Sequence, residues 1–293
     1  MSTQARRLRV DSASPRAKSW LRDTRQAHVL YAFEQVVNLV NQEGDVLALV
    51  DAAIGNGPFS LVLTPGGFPT GVQADAQLLV FENGFWLADW LIDAEKARPW
   101  DPTPNWPSLA PPALSWANGI IQNLLAQHAK ADSLARLILD PLASSPLPAR
   151  IVQAAEQNVP LLYAGISDGD LAAITKAARG LAGMGPGLTP AGDDLLLGVM
   201  HGLWASKPAE EASRLSSAIS SAAAPRTHAL SAAWLTAGAH GEAAEPWHSL
   251  IDAIAAQNSA ATEAAVMRIL PTGHTSGADA LGGFLGAIAG FSV

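Results

Sequence analysis

Cysteine is absent from the 293 residues, which excludes disulfides, thiolate metal centres and cysteine nucleophiles. Charge is scarce, at 15% of the chain against 49% hydrophobic residues, a balance that excludes disorder and implies buried cores. The formal net charge is −8, so the clustered basic charge that holds nucleic acid is missing. Lys and Arg gather only near the start, where seven of eighteen fall by residue 25 (Arg6, Arg7, Arg9, Arg16, Lys18, Arg22, Arg25). No apolar segment follows them to make a secretory signal, and residues 1–27 read as a basic arm, exposed or loosely docked. The uncharged C-terminal stretch Ala280–Val293 is 14 residues long with four glycines. A spanning helix needs about 20 apolar residues, so this stretch reads as a buried core helix. The expectation is a cytoplasmic protein that meets neither membrane nor nucleic acid.

What is present divides into two textures, and the fold class read from them is α+β. Residues 28–100 carry short β-favouring runs (VVNLV, DVLALVDA, FSLVL, AQLLVF, FWLADWLI) separated by QEG, GNGP, GGFPTG and ENG. That spacing predicts a strand-rich domain, a sheet or small barrel, with a hairpin turn at Glu82-Asn83-Gly84. WDPTPNWPSLAPP then places five prolines in thirteen residues, and 101–114 reads as a linker. From 115 to 293 apolar residues recur three and four apart in Ala-rich segments, which predicts an all-helical bundle. The nine tryptophans are spread along the chain and read as packing residues.

The chemistry concentrates in GMGPGLTPAGDD at 183–194. A Gly-rich segment entering a helix leaves backbone N–H groups free at the positive end of the helix dipole, a setting that suits a small anion. Gly185, Gly187, Leu188, Thr189 and Gly192 are the candidate binding residues there. No Gly-Lys-Ser/Thr follows, and the preceding segment reads as helix, so the motif is neither a Walker A loop nor a dinucleotide fingerprint. The pattern G-x-D-x-L-x-G occurs at Gly192–Gly198 and again at Gly277–Gly283, each time after a loop rich in Gly, Thr, Ser or Pro. It pictures two helix N-termini, each with an aspartate in its first turn, facing a common cleft.

Asp193 and Asp194 could simply complement the helix N-terminus. The other reading turns one of them into the cleft as general base or ligand, and Asp193, Asp194 and Asp279 would together suit Mg²⁺, the cofactor this pattern suggests without fixing it. The seven histidines lack zinc spacing and no H-E-x-x-H occurs. His274, inside the second loop, and Arg226, a planar fork for phosphate or carboxylate, join Asp194 as catalytic candidates. Thr227, Thr275, Ser276 and Gly277 complete the candidate binding set.

GMGPGLTPAGDDLLLG, RTHALSAAWLTAGAHGE and GHTSGADALGGFLG together resemble the bacterial DUF2877 family, which includes the AllH-type subunit of oxamate carbamoyltransferase. The matching positions are Gly183–Asp194, then Thr227, Ser231, Leu235 and Ala237, then Gly273–Asp279. The resemblance implies carbamoyl transfer between carbamoyl phosphate and oxamate in allantoin breakdown, within an oligomeric complex of several subunits. The S-T-R-T-R and H-P-x-Q signatures of ordinary transcarbamoylases are absent. SGADALGGFLGAIAG also resembles the metal-binding end of ADP-ribosylglycohydrolases, which implies a Mg²⁺-dependent hydrolase as the alternative. A third reading is a non-catalytic subunit, in which Gly198, Gly283 and Gly286 serve close helix packing.

Overall fold

The β-favouring runs form nine strands: β1 (Arg6–Ala13), β2 (Gln26–Ala32), β3 (Val36–Asn41), β4 (Val46–Val50), β5 (Ser60–Leu63), β6 (Gln77–Phe81), β7 (Gly84–Leu87), β8 (Trp90–Asp93) and β9 (Arg98–Pro99). The computed structural model describes residues 6–140 and 145–289. It divides into two units, Met1–Pro102 and Thr103–Val293.

In the first unit the order β5-β4-β3-β2-β6-β7-β8-β1 closes on itself, because β1 also pairs with β5 through Val10↔Leu63 and Ala13↔Leu61. Eight strands thus make a closed barrel, and β9 continues beside β8 on the same side of β1. Closure leaves no long unpaired edge to recruit another chain. β6 shows why a barrel suits these residues: Leu78 and Val80 are buried, while Gln77, Leu79 and Phe81 point out. Phe81 pairs with Gly84, so Glu82 and Asn83 form the expected tight turn.

The expected basic arm is corrected from residue 6 onward. Residues 6–13 are β1, and residues 15–23 are a helix, α1 (Pro15–Asp23). The arginines alternate with core residues: Val10 is buried and Leu8 packs on the core, while Arg7 and Arg9 are exposed. Arg7 pairs with Asp93, and Asp11 accepts from Arg98 at 2.6 Å. Ser14 caps α1 by accepting from the Ala17 N–H at 3.1 Å, and Ala17, Trp20 and Leu21 enter the barrel core. Residues 1–5 of that arm lie outside the described residues.

The second unit holds ten helices among its described residues: α2 (Pro111–His128), α3 (Leu134–Leu139), α4 (Ala149–Asp168), α5 (Leu171–Leu181), α6 (Ala191–Ser206), α7 (Ala209–Ala223), α8 (Ala229–Ala239), α9 (Glu245–Ala255), α10 (Ser259–Ile269) and α11 (Ser276–Ala289). Part of the Pro-rich segment is structured. Residues 106–108 make a 3₁₀ turn that buries Trp106, whose Nε1–H donates to the Gly241 carbonyl at 2.8 Å, and Pro111 opens α2. α4 runs through Pro160, although proline lacks a backbone donor and commonly ends a helix. Its later residues Leu162, Tyr163 and Ile166 are buried in the core, and that packing outweighs the backbone bond lost at an exposed proline.

α6 is the central element, with fourteen of its sixteen residues buried, and α11 packs alongside it. The core-helix reading of 280–293 holds for the helix as far as Ala289 and for burial as far as Gly286, and 290–293 lie outside the described residues. Among the described residues no helix is long and apolar enough to cross a membrane.

Candidate active site

The loop ahead of α6 needs its glycines for a steric reason. Gly183 has φ +70° and Gly185 φ +121°, and a Cβ would lie 2.8 Å from the Arg226 carbonyl oxygen at the first and 2.8 Å from the Ala191 nitrogen at the second. An L side chain would be strained at both and would collide with backbone. Pro190 stands at the N-cap without a side-chain bond, and the N–H groups of Asp193 and Asp194 reach its carbonyl at 2.9 and 3.1 Å. Among the described residues the N–H groups of Gly187, Leu188 and Thr189 have no hydrogen-bond partner.

Neither aspartate caps the helix, and the two do different things. Asp193, 2% exposed, accepts from the Gly183 N–H at 2.9 Å, the Ser231 hydroxyl at 2.8 Å and the Thr227 hydroxyl. It thereby ties the loop to the start of α8. Asp194, 7% exposed, turns the other way, with Oδ2 buried and unpartnered. Burial raises its pKa well above the usual carboxylate value; hydroxyl bonds from Ser276 and Thr189 oppose that, and the Asp279 carboxyl adds to it.

The repeated G-x-D-x-L-x-G motif accounts for how α6 and α11 meet. They run side by side in the same direction, and their contacts are reciprocal. Gly198 lies against the Ala280 carbonyl, and Gly283 against the Leu195 carbonyl, which are equivalent positions of the two motifs. The loop before α6 also touches the start of α11, through the Thr189 and Ser276 hydroxyls at 3.0 Å. Asp279, the counterpart of Asp194, is fully buried; its Oδ1 accepts from the Ser133 hydroxyl at 2.6 Å, and its Oδ2 is unpartnered. Burial pushes its pKa up to about 6, against hydroxyl bonds from Ser133 and Thr275 and backbone N–H groups of Ala135 and Leu134.

A pocket of about 170 Å³ opens where these N-termini converge. Thr189, Asp194, Thr272 and Ser276 bring polar side chains to it, and Leu197, Trp234, Pro246, Trp247 and Ile269 bring largely apolar ones. No Lys, Arg or His lines it. Of the residues singled out from sequence, Thr189, Asp194, Ser276 and Gly277 meet here. Asp279 stands behind them with Thr275, and Asp193 with Thr227 forms the separate tie to α8. Gly192 is pressed against the Leu181 carbonyl, whereas Gly187 is exposed and Leu188 half-buried on the outer bend. Arg226 is exposed, its carbonyl against Gly183. His274 is turned outward: its side chain is 67% exposed, with Nε2 2.7 Å from Asp132 and Nδ1 3.0 Å from the Lys130 amine.

The Mg²⁺ set of Asp193, Asp194 and Asp279 is not gathered around one point, because Asp193 is committed to three donors on the far side. Among the described residues no group of three or more His, Asp or Glu is arranged to hold a metal ion. Sequence reading missed Thr272, Trp234 and Trp247 as pocket residues and Ser133 as the donor to Asp279. Ser133 carries the helix-cap signal before α3 and also bonds its own Ala135 N–H at 3.1 Å. Nothing local marks its second partner 146 residues away.

Behind the pocket wall, His201 is buried on α6 with Trp106 at 5.8 Å and Trp247 at 4.6 Å between ring centres. Burial lowers its pKa to about 4 from an ordinary 6.5. Below 6.5 the unfolded chain takes up this proton first, so His201 withdraws about 3 kcal/mol of stability as pH falls from 6.5 towards 4. Asp279 acts with the opposite sign between 3.8 and about 6, since its folded form holds the proton more tightly. Urea unfolding of wild type and His201→Phe cancels that shared part. The difference should narrow in the variant's favour by about 3 kcal/mol across the window, and a constant difference would contradict it.

Residues 181–288 match the family model described as oxamate carbamoyltransferase subunit AllH. This segment is therefore similar to that family, as its three motifs imply, and the barrel lies outside the match. No curated protein and no solved structure matches the chain.

Proposed function

We propose, on the premise of the AllH match over 181–288, that the chain is a subunit of an oxamate carbamoyltransferase-type enzyme and contributes its pocket at the α6 and α11 N-termini to the substrate site. The observation that carries this reading is coincidence. Four candidate residues inside the match, Thr189, Asp194, Ser276 and Gly277, converge on the pocket, with the Thr189 and Ser276 hydroxyls meeting across 87 residues of chain.

In such a reaction the acceptor nitrogen attacks the carbonyl carbon of carbamoyl phosphate. An N–C bond forms, the C–O bond to phosphate breaks, inorganic phosphate leaves, and the nitrogen loses a proton. The partnerless N–H groups of Gly187, Leu188 and Thr189 suit the negative charge of phosphate or of the substrate carboxylate, with the helix dipole behind them. Arg226, whose carbonyl lies against Gly183 of the same loop, is an exposed cation next to it and suits an anionic substrate. Donors fixed in place before charge develops contribute about 3–4 kcal/mol each where they have been removed singly.

The partner subunits complete this site in a multi-protein complex. The test is reconstitution. Phosphate release from the full complex should require both carbamoyl phosphate and oxamate and fall to background when this chain is omitted. Undiminished transfer without the chain would overturn the reading.

A further inference from the structure

We infer that the outer face of strands β6, β7 and β8 docks another subunit of the complex, one that presents apolar residues flanked by carboxylates. The inference rests on the reading of the chain as a subunit, and goes further by placing a contact on the barrel. Leu79 pairs with Trp86, Trp86 with Leu91 and Leu91 with Arg7, so these four side chains form one row across β6, β7, β8 and β1. Their neighbours Leu78, Phe85, Leu87 and Ile92 are buried in the barrel core, which turns the row outward. Leu79 is 67% exposed, and Phe81, two residues on, is 40% exposed with its ring beside Gly84. Trp86 and Leu91 are half-buried along the same row. Other outward positions on these strands are polar, Gln77, Asp93 and Arg9 among them. A contiguous strip of two leucines, a tryptophan and a phenylalanine is therefore the feature of an interface. The closed barrel has no long open edge, so a partner is held by these side chains and not by strand addition.

The charges beside the strip indicate what the partner carries. On the β1 side a depression of about 430 Å³ is lined by Arg7, Arg9, Lys96 and Arg98. Arg7 and Arg98 are committed to Asp93 and Asp11. Among the described residues Arg9 and Lys96 have no carboxylate in ion-pair contact, and Glu95 is the one acid of the lining left beside them. On the β2 side stand Gln26 and Gln77, which carry no charge. A second copy of this chain could lie face to face about a two-fold axis along the strands or across them. The first sets the cationic side against uncharged Gln26, and the second sets Arg7 against Arg7. A different subunit with carboxylates at that side supplies the complementary charge that neither arrangement does.

The test is analytical ultracentrifugation of the reconstituted complex with the wild-type chain and its variants. Leu79→Glu should weaken assembly at least about ten-fold, and Arg9→Glu at least about three-fold, with the second loss shrinking as salt is added. Both side chains are exposed, so neither substitution threatens the fold. Met267→Glu, at an exposed apolar residue of α10, should leave assembly unchanged. Undiminished assembly of Leu79→Glu would overturn the inference, as would an equal loss in Met267→Glu. So would a dimer of the chain alone that Leu79→Glu dissolves. A complex that assembles through this face without transferring carbamoyl groups would keep the docking surface and refute the functional reading. A complex that transfers them and is indifferent to Leu79→Glu would do the reverse, and a chain that joins no complex would overturn both.

Discussion

Gly198→Ala is expected to lower the stability of the helical unit by at least about 3 kcal/mol, the upper part of the range for overpacked cores. The reason is that the obstacle is backbone: the new Cβ would sit on the Ala280 carbonyl, which a rotamer change cannot move. To relieve the clash α6 and α11 must separate, and their separation loosens the packing of Leu195, Val199, Leu281 and Phe284, all fully buried. For a unit of this size the melting temperature should fall by about 6–12 °C. Gly119→Ala is the internal control. Gly119 lies in mid-α2 with open space around it, and alanine there should raise stability by about 1 kcal/mol through helix propensity. Calorimetry of both variants checks the pair, and a neutral Gly198→Ala would mean that the two helices do not approach this closely.

Asp193→Ala should cost a comparable amount, about 3 kcal/mol, by a different route. The substitution strands the buried Ser231 hydroxyl and takes away the acceptor that holds the Gly183 N–H and the Thr227 hydroxyl, so the loop loses its tie to α8. Asp193→Asn should lose about half as much, because its oxygen can still accept from one side while the hydroxyls turn to accept from its amide. Chemical unfolding of the two variants measures this. The same experiment separates Asp193 from its neighbour: Asp194→Asn removes a buried group with an unpartnered oxygen, so it should cost much less stability than Asp193→Ala. Equal losses at both positions would mean that the two acids share one role.

The helices α5 to α11 follow the spacing of their apolar residues closely, because an Ala-rich segment with a three-and-four repeat has little alternative. Strands β6 and β7 were equally plain, since alternation and the turn signal at Glu82-Asn83-Gly84 point to the same hairpin, although Gly84 already belongs to β7. β1 was not, because arginine at every second position looks like a charged arm until its Leu8 and Val10 partners are given a barrel to face. α4 passed its proline for a similar reason. In the site, Thr189, Asp194 and Ser276 were legible from motifs in loops before helices, whereas His274 was legible only as a residue in such a loop. Its imidazole turns to Asp132 and Lys130, which no local pattern announces.

The amino-acid order alone determined the two textures of the chain, the glycine loop that can precede a helix but not interrupt one, and the repeated G-x-D-x-L-x-G. These are consequences of local sterics and of the 3.6-residue period, which need no partner. Only the tertiary structure decided that the two motifs face each other through reciprocal glycine–carbonyl contacts, that Asp193 is a tie and Asp194 a pocket wall. The physical reason is direction. Adjacent residues on a helix point about 100° apart, so two identical side chains side by side meet different neighbours once the helix is buried on every side. Burial then separates their chemistry, giving one carboxyl three donors and leaving the other an oxygen with none.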